Sequence, residues 1–144
     1  MANYRIKASG IHSEALDSIV DKVYSIASVK DNKDVLVLAS QIDIAKNDER
    51  IERIFGKVMF DLLVKRRQNS VGVADVNFEV EPYDYLKNHP DRAYGRTVVV
   101  LNPSLNDLDN LFQNNSADLD LIVIEMQIDG ELDSWVQANK ALDI

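Results

Sequence analysis

Three short runs, Val35-Leu36-Val37-Leu38-Ala39, Val98-Val99-Val100-Leu101 and Leu121-Ile122-Val123-Ile124, are apolar at every position and rich in β-branched residues. A strand with one wet face alternates apolar and polar residues, whereas a strand apolar throughout is covered on both faces, as in the parallel sheets of α/β proteins. Four or five residues are far too few to cross a bilayer. The intervening segments carry helical periodicity. The expectation is therefore an α/β fold, or an α+β sandwich, with a five-stranded mixed, mainly parallel sheet. The expected order is β-α-β-α-β-β-α-β-α, with helices covering the sheet. No linker, repeat or low-complexity tract interrupts the chain, so residues 1–144 are expected to form a single domain.

Tyr4, Ile6 and Ala8 alternate with Arg5 and Lys7, which reads as a half-buried or edge strand. Ser13 is a candidate N-cap for a helix over 13–29, with Leu16, Ile19, Val20, Val23, Ile26 and Ala27 on one face. Residues 48–68 read as one long helix, capped by Asn47 or Asp48. Its stripe is Ile51, Ile54, Phe55, Val58, Met59, Leu62 and Leu63, widened by Phe60 and Val64. Acids at its start, Lys65-Arg66-Arg67 at its end, and Glu49–Arg53 and Asp61–Lys65 pairs suit the macrodipole and i,i+4 pairing. Val73 to Glu81 alternates, with a slip at Ala74–Asp75, as an antiparallel strand with an acidic wet face. A helix with Leu105, Leu108, Leu111 and Phe112 inward starts either with Pro103 at its first position or with Ser104 and Asp107 as a capping-box variant. Leu119–Ile128 is the fifth strand, and Asp129 caps a last helix bearing Leu132, Trp135, Val136 and Leu142.

The net charge of −8 is uneven: residues 1–72 carry +2 and residues 73–144 carry −10. Such a balance lacks the basic footprint of nucleic-acid binding and disfavours anionic lipid. It would attract a basic protein partner, although an acidic surface also simply keeps a protein dispersed in water. With no cysteine, disulfides, thiol catalysis and Cys-ligated metals are excluded. The amino terminus lacks a signal-peptide pattern, so a cytoplasmic location is expected. The glycosylation sequon Asn114-Asn115-Ser116 reads as a chance match.

The five glycines form no phosphate-cradling motif, and two histidines are too few for an ordinary zinc site. No cofactor or metal site is expected. Asp120 and Glu125 faintly echo the carboxylates of metal-dependent nucleases, but Gln127 stands where that pattern needs lysine. Their five-residue spacing also puts them on opposite faces of a strand. Glu125 interrupts an apolar strand, so it lies at an edge, pairs with a base or marks a cleft. Asn102 reads as a helix cap.

The chemically richest stretch is the connection 82–96. If the protein is an enzyme, His89 is the candidate acid or base, Arg92 and Arg96 the anion clamp, and Tyr83, Tyr85 and Tyr94 the stacking groups. The bland alternative is a packed loop with locally paired charges. The preferred expectation is a non-enzymatic protein-binding module of the immunity, antitoxin, inhibitor or adaptor kind. It would meet a basic partner through Glu79, Glu81, Asp107, Asp109, Asp118, Asp120, Asp129, Glu131 and Asp133. A small hydrolase or transferase acting on an anionic molecule through 82–96 is the second reading. A homo-oligomeric structural subunit, joined through the 48–68 helix, is the third.

Overall fold

The computed structural model describes residues 2–68, 70–112 and 118–144, so the sequon at Asn114 lies outside the described residues. The strands are β1 (Asn3–Lys7), β2 (Asp34–Ala39), β3 (Val71–Val73), β4 (Val76–Pro82), β5 (Thr97–Leu101), β6 (Asp120–Glu125) and β7 (Leu142–Asp143). The α-helices are α1 (Ile19–Ala27), α2 (Ile42–Ala45), α3 (Glu49–Phe55), α4 (Lys57–Phe60), α5 (Tyr83–Asn88), α6 (Leu105–Phe112) and α7 (Asp133–Asn139). Tighter 3-10 turns cover Gly10–Ser18 and Pro90–Ala93, and a π turn covers Asp61–Lys65.

The strands form one sheet in the order β3-β4-β2-β5-β6-β1-β7. All neighbours are parallel except the β3–β4 hairpin. The continuous apolar runs occupy β2, β5 and β6, side by side in the middle. Successive residues of these strands feed two cores: Val35, Val37, Val99 and Ile122 face α1, α3 and α4. Leu36, Leu38, Val98, Val100 and Leu121 face α5 and α6. The chain runs β1 to β2 to β4 in one direction along the sheet and β5, β6 and β7 in the other. Right-handed crossovers place those two sets of connections on opposite faces, which is how both faces become covered.

The sheet has seven strands rather than the expected five. Ala74, at φ 52°, turns the chain at the expected slip, so Val71–Val73 pairs back on β4 as a separate strand. β4 itself is parallel to β2, not antiparallel. Leu142 belongs to β7 rather than to the last helix, because Lys140 is left-handed (φ 52°) and ends α7. The first strand is internal, lying between β6 and β7. β6 ends at Glu125, and Asp129 sits four residues before α7 rather than capping it.

The 13–29 segment divides into the 3-10 turns from Gly10 and the short helix α1, with no capping bond from Ser13. The long helix divides too. Gly56 adopts φ 80°, ψ 160°, far from helical values, and separates α3 from α4. The break leaves Val58 77% exposed but turns Phe60, Leu63 and Val64 fully into the first core. Arg53 pairs with Asp17 instead of Glu49. Asp61 pairs with Arg66, five residues on, as the wider π turn favours. Asp48 and the Ser104/Asp107 box cap α3 and α6 as expected, with Asp107 N donating to Ser104 Oγ at 3.0 Å and Ser104 N to Asp107 Oδ2 at 2.9 Å. Asn102 is not the cap; it is left-handed (φ 54°) and its Nδ2 donates to Gln127 Oε1.

Candidate functional site

The 82–96 connection is folded rather than irregular. Leu86 and Ala93 anchor it in the second core. Tyr83 is buried beside them, and its hydroxyl donates to Leu101 O at 2.6 Å. Burial, with Asp107 as a lesser cause, pushes that phenol well above its ordinary pKa, so Tyr83 is a packing residue. His89 ends α5 and stacks on Tyr85, with ring centroids 4.8 Å apart. Its Nδ1 lies 3.2 Å from Tyr85 O.

Arg92, Tyr94 and Arg96 take a different direction. They line a groove of about 490 Å3 at the amino ends of β2, β4 and β5, facing Asn32, Asp34, Asn77 and Glu79. The β2–β4 register sets Asp34 beside Asn77 and Leu36 beside Glu79. Arg96 Nη1 donates to Glu79 Oε1 and to Arg92 O, both at 3.2 Å, while its Nε is buried without a partner. Glu81 is held above the usual carboxylate range, first by burial and then by the neighbouring Glu79 carboxylate; Arg67 opposes the shift from 2.7 Å. The Tyr85 hydroxyl is raised as well, by burial first and then by Glu79. Of the six residues proposed for catalysis, three meet in one groove. His89 and Tyr85 stack apart from them, and Tyr83 is buried.

The nine acids singled out for partner binding do not form one outward face. Glu79 pairs with Arg96, Glu81 with Arg67, Asp120 with Lys30 (3.0 Å), and Asp133 with Arg5 (2.6 Å). Asp129 lies 3.4 Å from Lys7 and 3.5 Å from His12. Asp107 caps α6, and Glu131 Oε1 accepts from Ile128 N at 3.4 Å. Asp109 and Asp118 make no ion pair among the described residues. Four of the five paired acids are matched by bases from the first half, so the halves largely neutralise each other there.

Glu125 is neither at an edge nor in a cleft. It is fully buried, with Oε1 accepting from Arg5 Nη1 (3.2 Å) and Leu132 N (3.0 Å), and Oε2 from Gly130 N (3.0 Å). The carboxylate thereby shapes the turn between β6 and α7. Arg5, equally buried, adds a two-pronged bond to Asp143, which docks β7.

At the opposite end of the sheet the structure gathers side chains that sequence reading missed. Ile44, Leu105, Ile128 and Ile11 are 57, 41, 65 and 88% exposed. They lie three to five residues past the carboxyl ends of β2, β5, β6 and β1, four adjacent strands whose ends span roughly 14 Å at about 4.8 Å per strand. Leu105 was expected inward. The loops are tied to one another: Arg50 Nη1 donates to Met126 O (3.0 Å), Asn102 to Gln127 (3.3 Å), and Lys7 meets Asp129. The legible signal was an aliphatic residue among polar ones just past each buried strand, with Ile42 beside Ile44 after β2.

Among the described residues no group of three or more His, Asp or Glu is placed to hold a metal ion, and no helix is long and apolar enough to cross a membrane. Comparison with known proteins returns no match: no family model, no curated protein and no solved structure.

Proposed function

We propose that this protein is a binding module for a basic protein partner, and that the partner docks on the carboxyl-end rim. The observation that supports this is the exposed aliphatic side chain carried by the segment that follows each of four neighbouring strands. Exposed apolar residues gathered in one place mark interaction surfaces, whereas scattered ones need no explanation. In α/β sheets this is also the end where ligands gather. Asp43, Glu49 and Glu131 stand in the same loops and helix starts without an ion pair among the described residues, alongside Lys46, so the rim keeps a mainly acidic border. Such a border speeds encounter with a basic surface and opposes pairing of the rim with a second acidic copy.

Two other readings lose support. The homo-oligomeric reading rested on the breadth that Phe60 and Val64 add to the apolar face of 48–68, and both are buried within the chain. The hydrolase or transferase reading needs His89 beside the arginines, and His89 stands outside their groove.

The test compares native pull-downs by the wild type, by the double variant Ile44→Asp/Ile128→Asp, and by Val29→Asp, an exposed control on the loop after α1. The proposal expects one or more basic proteins retained by wild type and control, lost by the double variant, and eluted by added salt. Retention unchanged by the rim substitutions or by ionic strength would overturn it.

A further inference from the structure

We infer that the amino-end groove binds a small zwitterion, a carboxylate and an ammonium group a few bonds apart, as in a free amino acid or a short peptide. This site lies at the far end of the strands from the rim and does not depend on the docking proposal. Its walls carry both signs of charge. Arg92 makes no ion pair among the described residues, and Arg96 engages the described protein through Nη1 alone. Its Nε is buried without an acceptor among the described residues, which therefore do not take up the whole guanidinium. Asp34 and Asp91 line the same groove, again without an ion pair among the described residues.

The balance of charge selects the ligand. Two guanidinium groups face three carboxylates, Asp34, Glu79 and Asp91, and one of these is already matched by Arg96. A bare anion would be drawn to the arginines but repelled by the remaining acids. A bare cation meets the reverse. A molecule bearing both charges can place its carboxylate on Arg92 and its ammonium on Asp34 or Asp91, the charged walls that make no ion pair among the described residues. Tyr94, 66% exposed, offers an aromatic face to the same ammonium. The amides of Asn32 and Asn77 add donors and acceptors for a polar ligand backbone, and the groove volume falls in the range of small-ligand sites.

The experiment is a set of titrations of the isotopically labelled full chain, followed by backbone amide shifts at constant ionic strength. The probes are the free L-amino acids, glycylglycine, acetate, methylammonium and inorganic phosphate. At least one amino acid or the dipeptide is expected to give saturable shifts at Asn32, Asn77 and Tyr94. Its affinity should be tenfold or more above that of acetate, methylammonium or phosphate, and the two zwitterion classes distinguish a free amino acid from a peptide. Arg92→Gln and Asp34→Asn, both at exposed positions, should each weaken that binding tenfold or more while leaving the melting temperature unchanged. Acetate or phosphate binding as tightly as the best zwitterion would overturn the inference. So would variants that bind like wild type, or no saturable shift in the groove from any probe.

Discussion

Arg5 is the residue on which most of the buried polar structure turns. Its guanidinium meets Glu125, Asp133 and Asp143, and its pKa rises further still, chiefly through the bond to Asp143, against the opposing effect of burial. Removing one member of a buried pair strands the other charge, so Arg5→Met is expected to cost about 3–5 kcal/mol in chemical denaturation. The double variant Arg5→Met/Glu125→Met should recover part of that loss, because both charges leave together. Asp143 behaves differently, being half exposed. Its bond to Arg5 holds its carboxyl below the usual range. A depressed folded-state pKa means stability that is present above the unfolded aspartate value, about 3.9, and is lost as pH falls through the lower folded value. Asp143→Asn should therefore be less stable than wild type at neutral pH, with the two denaturation curves converging in acid. Glu81 carries the opposite sign: its raised folded pKa means a contribution that is present in acid and declines as pH rises through that value. Replacing Glu81 with Gln should therefore flatten the fall in stability as pH rises above the ordinary glutamate value, about 4.3.

At the scale of elements, the informative case is the broken helix. The apolar spacing over 48–68 was legible, and so were the residues that reach the core apart from Val58, but the break was not. Periodicity records which side chains face inward; it does not record whether the backbone is continuous between them. Gly56 was the available signal, since a residue at φ 80°, ψ 160° must dispense with a Cβ to avoid strain. The open space around it means that only the backbone resists a side chain. Gly56→Ala is thus expected to lower stability by about 1–3 kcal/mol. A continuous helix would gain roughly 1 kcal/mol from the same change, so the sign of the measured shift distinguishes the two backbones. The hairpin at Ala74 and the short β7 were missed for a related reason. Both depend on single left-handed residues, Ala74 and Lys140, whose types do not announce that conformation.

At the scale of the whole molecule, β2, β5 and β6 each give alternate residues to both cores, so neither core can be exposed without stripping the shared sheet. Equilibrium unfolding is accordingly expected as one transition, with the fluorescence of Trp135, which packs on the second core, coinciding with far-ultraviolet circular dichroism. Separate midpoints for the two probes would show the layers melting independently. The uneven charge was read correctly as arithmetic and misleads as geometry, because four of the nine singled-out acids of the second half pair with bases of the first. What the amino-acid order determined by itself was local: which central segments bury two faces, and the caps at Asp48 and at Ser104/Asp107, since these follow from spacing along the chain. Strand order, the partner of Glu125, the pairing of the acids, and the meeting of Arg92, Tyr94 and Arg96 with Asp34 and Asn77 were decided only in three dimensions. Each joins residues distant along the chain, and a pattern read over a dozen positions carries no term for contacts closed by the crossovers of a parallel sheet.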